Sequence, residues 1–364
     1  MQARVEFYMR QALELALRAE GDTFPNPLVG AVIVKNSKII GRGFHKQAGG
    51  PHAEIYALKE AGPSARGATL FCTFEPCAHF GRTGPCADEI IRYGIKEVYV
   101  GMVDPNPITK GRGIERLRRH GIRVKAGILE RDIAAINKPF IKAHALGLPL
   151  VTIKIAESLD GKIATRAGRS KWITSAASRS YAHDRRRFFD GIMAGIQTVL
   201  KDDPGLESAC GVKRHRLTKI IVDSELKIPL TARLLDTKQP VIIAAVKKNK
   251  AKEEKLRRIG AEVVYTRPHR GRVSLKQLLR YLNKKELRSI LVEGGAELTG
   301  SLLDERLADR AHVFIAPVFI GGRTALSSVG GRGVASPGSA VRLEDVLIKR
   351  SGEDILIEGG LKYR

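Results

Sequence analysis

His52 and Glu54 stand two residues apart in Gly50-Pro51-His52-Ala53-Glu54, and two cysteines, Cys77 and Cys86, each directly after a proline, follow them. Zinc takes soft, deprotonated ligands. A histidine and two thiolates supply three corners of a tetrahedron and leave the fourth for water, which is the mark of a catalytic rather than a structural ion. Thiols near helix starts have lowered pKa values and favour the thiolate the metal needs. Bound zinc brings the pKa of its water toward neutrality. Glu54 then fits the general acid/base that accepts the water's proton and delivers it to a ring nitrogen and a departing amine. A histidine-x-glutamate followed by Pro-Cys is the pattern of zinc base deaminases, whose glutamate is not a ligand. Eight residues separate the cysteines here, against two in that general pattern. Taken piecemeal, other readings stay open: a surface His-x-Glu, or a structural knuckle of the two cysteines with His79. Cys72, inside an apolar run, reads as a small buried hydrophobe.

These residues need elements to hold them. An amphipathic helix opens the chain, followed by two β-rich runs, 29–34 and 38–44, about the turn Lys35-Asn36-Ser37-Lys38, which predicts a hairpin. A helix begins near His52, a buried strand covers 68–75, and both cysteines sit near predicted helix starts, the second helix covering 87–94. A strand at 96–104, a helix at 113–121 and a strand at 122–128 complete an alternation that predicts an α/β layer structure. Gly147 and Pro149 punctuate the chain before a new strand at 151–156, so a boundary is expected there, with domains at 1–146 and 147–364. The second half alternates again: strands at 190–199, 218–224, 241–246, 261–266, 289–295 and 311–317, helices at 246–258, 274–285 and 296–307, and two late β runs at 341–350 and 354–360.

Of 364 residues, 63 are Lys or Arg and 38 Asp or Glu, a net charge of +25. Such a field attracts nucleic acid, anionic surfaces and phosphorylated small molecules alike, so charge does not choose the partner. The basic run at 246–258 is interrupted by Glu253 and Glu254 and reads as a solvated helix face. No apolar run reaches the roughly 18 residues of a membrane span, and no cleavable leader is recognised, so a soluble, cytoplasmic chain without membrane partners is expected. Clustering of Cys72, Cys77 and Cys86 suits metal binding better than a disulfide framework.

The segments "FPNPLVGAVIV" (24–34), "GFHKQAGGPHAE" (43–54), "FEPCAHFGRTGPC" (74–86) and "VDPNP" (103–107) resemble the deaminase half of the bifunctional riboflavin-biosynthesis deaminase/reductases, in which the wide cysteine spacing is characteristic. That resemblance implies a cytidine-deaminase-like three-layer α/β/α domain that removes an amine from a diaminopyrimidinone ribosylamine 5′-phosphate. By position it implies zinc on His52, Cys77 and Cys86, proton transfer by Glu54, and substrate contacts from Asn26, His45, His79, Gly81, Arg82, Thr83, Asp104 and Asn106. Phe24 stands where the family usually has histidine.

"KIAESLDGKIAT" (154–165), "SKWITS" (170–175), "TVLKDDPGL" (198–206), "IIVDS" (220–224) and "VEGGAELTGSLL" (292–303) resemble, in the same order, the family's reductase half. A glycine turn entering a helix, as at Gly294-Gly295, presents N–H groups to a phosphate, a weak signal by itself. The resemblance implies a dihydrofolate-reductase-like α/β domain that uses NADPH to reduce the ribosyl group to ribityl. Cofactor contacts are then expected at Ala156, Ser170, Trp172, Thr198, Asp202, Ser224, Gly295, Ala296, Glu297, Leu298, Thr299, Gly300 and Ser301, and substrate contacts at Arg186, Leu206 and Glu293. Arg186, with its planar fork, suits a phosphate. Ala209 occupies a position where many members carry arginine; Arg214 or Arg216 are the nearest replacements.

The sequence therefore predicts a two-domain enzyme on a phosphorylated pyrimidine, with a homo-oligomer as a compatible assembly. Its rivals are a deaminase whose reductase half is impaired or repurposed, a nucleic-acid-editing deaminase, against which the cysteine spacing and the second half argue, and a purely structural zinc protein.

Overall fold

Gln2–Leu17 forms the amphipathic helix α1, and beyond it Gly30–Lys35 (β1) folds back on Lys38–Phe44 (β2). The turn residues Asn36 and Ser37 both adopt left-handed backbone, φ 48° and 65°, as a two-residue hairpin between right-twisted strands requires. The chain, seen here as a computed structural model, is described for residues 2–78, 84–208 and 217–364, and it separates into two units between Leu148 and Pro149.

In the first unit the hairpin is followed by Ala53–Ala61 (α2), Thr69–Phe74 (β3), Cys86–Arg92 (α3), Glu97–Met102 (β4), Arg112–Arg119 (α4), Arg123–Ala126 (β5), Glu130–Ile136 (α5) and Lys138–Leu146 (α6). Strand order is β2-β1-β3-β4-β5, with β1 antiparallel to β2 and β3 and the last three strands parallel. Side chains alternate across a strand, and both faces are apolar. Ile33 and Leu70 pack with Leu58, Ile90 and Leu117 of α2, α3 and α4 on one side. Val32 and Phe71 pack with Met9 of α1, Ile133 of α5 and Phe140 of α6 on the other. This is the expected three-layer α/β/α arrangement. Helices α5 and α6 are additions to the sequence-based outline.

At two places on β2 the strand meets α2 with no side chain between them. A Cβ on Gly41 would lie 2.2 Å from the Ala57 carbonyl oxygen, and one on Gly43 2.1 Å from that of Ala53. Only glycine lets the backbone of β2 approach α2 this closely.

In the second unit the elements are Leu150–Ser158 (β6), Ala176–Arg185 (α7), Gly191–Gly195 (β7), Ile196–Asp202 (α8), Thr218–Val222 (β8), Val241–Ala245 (β9), Lys250–Arg258 (α9), Ala261–Tyr265 (β10), Pro268–His269 (β11), Arg272–Val273 (β12), Leu275–Lys284 (α10), Ser289–Val292 (β13), Ala296–Asp304 (α11), Arg310–Ala316 (β14), Arg342–Ser351 (β15) and Asp354–Lys362 (β16). The main sheet runs β10-β9-β8-β7-β13-β6-β14-β16-β15. It is parallel from β10 to β14 and antiparallel at β16 and β15. The strand expected at 190–199 is corrected: it stops at Gly195, and Ile196 onward is helical, because the apolar run there serves a helix face, with Val199 buried. Ser175 caps α7 by accepting the Ser178 N–H. Among the described residues no helix is long and apolar enough to cross a membrane.

Candidate functional sites

His52 is the residue immediately before α2, and Glu54 lies in that helix's first turn. His52 is half-buried there, and Glu54 is buried to 3 % exposure. Cys86 is the first residue of α3. Cys77 lies on the loop after β3 rather than at a helix start of its own; its sulfur instead accepts the Cys86 backbone N–H at 3.3 Å, so it too meets the N-terminal end of α3.

The His52 Nδ1 atom lies 3.1 Å from Cys86 Sγ and 3.5 Å from Cys77 Sγ, and the three donor atoms all fall within 4.8 Å of one another. Tetrahedral zinc with ordinary bond lengths holds neighbouring N and S donors about 3.5–3.8 Å apart, so the residues fit the ion. Glu54 Oε2 is buried without a hydrogen-bond partner, an orphaned acceptor of the kind a bound water would satisfy. Hydrogen bonding to Cys86 draws the Cys77 thiol down to about 4, while its bond to Cys77 and burial push the Cys86 thiol up. His52, hydrogen-bonded to Cys77, rises to about 8. Burial raises Glu54 to about 7, near the range in which a carboxyl both takes and gives a proton at neutral pH. Metal entry must displace the remaining protons from these donors.

Asn26 Nδ2 donates to His45 Nε2 at 3.0 Å, and His45 Nδ1 lies 3.1 Å from the Pro51 carbonyl oxygen. The ring is therefore neutral with its proton on Nδ1, in keeping with burial lowering its pKa. Both nitrogens of His45 are thus committed within the protein. Asn26 keeps its carbonyl and one N–H free of that bond. Asp104 and Asn106 are also turned inward: Asp104 Oδ1 accepts the Asn106 N–H at 2.9 Å and Oδ2 the Thr109 hydroxyl, while Asn106 Oδ1 accepts the Ile108 N–H. His79, Gly81, Arg82 and Thr83 lie outside the described residues.

In the second unit a cavity of about 1030 Å³ lies against the C-terminal ends of β7, β8 and β9 and the start of α11. Thr198, Ser224, Gly295, Ala296, Glu297, Leu298 and Ser301 line it. No side chain caps α11 at Gly295, so first-turn N–H groups are open to an anionic cofactor segment. The size and that donor set fit a dinucleotide. Thr198 Oγ1 accepts the Gly295 N–H and Ser170 donates to Asp202, tying expected cofactor residues to one another. Six expected contacts, Ala156, Ser170, Trp172, Asp202, Thr299 and Gly300, are not among its lining residues. Thr299 is buried and donates to the Gly294 carbonyl, and Gly300 packs so closely on Gly330 that a Cβ would lie 2.2 Å from it. Ala156 sits mid-strand in β6 beside Phe314, and Trp172 is exposed with the Arg179 guanidinium 4.3 Å over its ring.

Arg186 places Nε 2.8 Å from Glu293 Oε1 and Nη2 2.9 Å from Oε2, and Nη1 donates to the Glu207 carbonyl. Its fork, assigned from sequence to a phosphate, grips a carboxylate. Lys154, which sequence reasoning passed over, brings its ammonium within 3.9 Å of Glu293; a lysine inside the apolar run "VTIKIA" was the available signal. Leu206 is buried, with φ 52°. Ala209, Arg214 and Arg216 lie outside the described residues.

Comparison with known proteins agrees with both halves. Residues 2–102 match the cytidine and deoxycytidylate deaminase zinc-binding region, and residues 149–357 match the RibD C-terminal domain. The chain is similar to riboflavin biosynthesis protein RibD of Aquifex aeolicus, 43% identical over 350 residues and covering 96% of both chains. Against the Escherichia coli protein of that name it is 38% identical over 331 residues, covering 87% of this chain and 88% of the other. Among solved structures it superposes on Acinetobacter baumannii RibD with a TM-score of 0.89 at 34% identity over the whole of both chains. A Thermotoga maritima diaminohydroxyphosphoribosylaminopyrimidine deaminase/5-amino-6-(5-phosphoribosylamino)uracil reductase gives 0.83 at 34% identity, covering 99% of each.

Proposed function

This chain belongs to the RibD family of riboflavin-biosynthesis deaminase/reductases, and we propose that it deaminates diaminohydroxyphosphoribosylaminopyrimidine in its first unit and reduces 5-amino-6-(5-phosphoribosylamino)uracil in its second. The observation that carries the reading is the buried, unpartnered Glu54 oxygen beside three converging zinc donors.

His52, Cys77 and Cys86 would hold zinc, which would supply Lewis acidity there. Glu54 takes one proton from the attacking water and gives it to the pyrimidine nitrogen, then takes the second from the new C–OH and gives it to the leaving amine, so that C–NH₂ and water become C=O and ammonia. Its burial keeps the proton within the site. Asn26, oriented by His45, offers one acceptor and one donor to the edge of the heterocycle. In the second unit NADPH supplies the hydride. Thr198, Ser224 and the first turn of α11 bind and orient that cofactor, while Lys154 and the fixed Glu293 carboxylate steady charge that develops on the sugar.

The cytoplasm suits thiolate ligands, and a homo-oligomer is the assembly we favour, supported by the exposed Leu347 and Ile348 on the outermost strand β15. Zinc-replete protein incubated with the deaminase substrate, with and without NADPH, tests the reading by product mass. Exchange of NH for O in both reactions, and a further gain of two hydrogens only with NADPH, is expected. Deamination without reduction would restrict the reading to the first unit and direct attention to Ala209; no reaction would overturn it.

A further inference from the structure

Glu75 lies just past the end of β3, two residues before Cys77, and is buried to 6 % exposure. No sequence motif singled it out, yet its carboxylate accepts four backbone N–H groups. Oε2 takes those of Asp104 at 3.1 Å and Gly111 at 2.9 Å. Oε1 takes those of Gly113 at 2.9 Å and Ile114 at 3.3 Å. One oxygen therefore pinches together the two ends of the 104–111 loop. The other satisfies first-turn donors of α4, a helix whose own cap position, Gly111, has no side chain to do so. Packing reinforces the junction: a Cβ on Gly113 would lie 1.7 Å from the Pro76 carbonyl oxygen, so α4 rests directly on the segment leading to Cys77. Between its pinched ends the loop is closed by Asp104, Asn106 and Thr109.

We infer that Glu75 is a positioning residue of the deaminase site, a carboxylate that fixes the 104–111 loop against the segment carrying Cys77. The inference rests on the reading of the first unit as a deaminase with that loop on the substrate side. Glutamine at this place keeps one acceptor oxygen, but its NH₂ confronts two N–H donors, so one end of the junction must open. Aspartate keeps both acceptors and the charge but is one methylene shorter.

The test is Glu75→Gln in the full chain, read by zinc content, hydrogen exchange, and the kinetics of both activities. Expected are one zinc per chain, an unchanged reductase rate, faster exchange confined to 104–114, and a deaminase KM raised about tenfold with kcat within about twofold, partly restored in Glu75→Asp. An unchanged KM despite faster exchange overturns the inference, as does zinc loss with a fall in kcat, which would make Glu75 a support for the metal ligands instead. If Glu75→Gln does not fold, Thr109→Val loosens the same loop without touching the carboxylate. It should raise KM likewise, and an unaltered KM there counts against the loop. Wild-type protein that fails to deaminate removes the premise, a result distinct from any of these.

Discussion

Arg186 and Glu293 face each other fork to fork, two parallel hydrogen bonds of 2.8 and 2.9 Å between side chains only 14% and 12% exposed. Burial alone would raise the Glu293 carboxyl, but Arg186 and then Lys154 outweigh it and bring it down to about 2. A lowered acid stabilises the fold fully above its ordinary pKa and loses that contribution as pH falls through the native value. Arg186→Leu takes both hydrogen bonds from the buried carboxylate and leaves it only the Lys154 ammonium at 3.9 Å, and should destabilise the second unit by about 3 kcal/mol at pH 7. The deficit should shrink toward pH 4 as the carboxyl of the variant protonates. Denaturant titrations at both pH values measure it, and an equal deficit at each would show that charge is not what the pair contributes.

Lys219 supplies a second pH test, one in which the substitution stabilises. It is fully buried in β8, donating to the Leu234 carbonyl at 3.2 Å and to Thr237 Oγ1 at 3.0 Å, and burial lowers its ammonium to about 8. Between pH 8 and an unfolded value near 10.5 the unfolded chain holds the extra proton, so stability rises with pH through that window. Lys219→Met should therefore stabilise the unit at pH 7 by about 1–3 kcal/mol, with the gain gone above pH 10.5. The Thr237 hydroxyl already reaches the Leu234 carbonyl at 3.5 Å, so neither acceptor is stranded.

Glu54→Gln should retain zinc and lower deaminase kcat by about 10²–10⁴, with reduction unaffected. Removing the metal with a chelator should abolish deamination alone. Metal analysis beside the two assays separates proton transfer from ligation, since zinc loss in the glutamine variant would count against Glu54 as a proton carrier.

Asn26→Asp replaces the N–H that meets His45 Nε2 with an acceptor. Two lone pairs then oppose each other across 3.0 Å, and the residue turns away. Deaminase KM should rise about tenfold or more, as for loss of a buried polar contact, at unchanged zinc content; steady-state kinetics of the full chain decide it.

Much of this was legible in the residue order. His52, Glu54, Cys77 and Cys86 were readable because metal chemistry restricts residue types severely, and Asn36-Ser37 marked its hairpin because few turns fit right-twisted strands. The strand read through 190–199 failed after Gly195, since a short apolar run serves a buried strand and a helix face equally well. Thr299 and Gly300 fall in a cofactor-like segment yet face away from the cavity, because a helix distributes consecutive residues around its axis. Glu75 and Lys154 were missed for a common reason. A lone charge in an apolar run acquires meaning only through partners far along the chain, here Gly113 at 38 residues' separation and Glu293 across the sheet.

Because β2 touches α2 backbone to backbone at Gly41 and Gly43, the helix that follows His52 and carries Glu54 has no cushion of side chains between it and that strand. Its first turn inherits the stiffness of the hairpin. One added methyl on β2 would push Ala53, the neighbour of both residues, and be felt as a change in rate rather than merely in stability. The reach of the active site in this unit therefore extends to glycines that never meet a substrate.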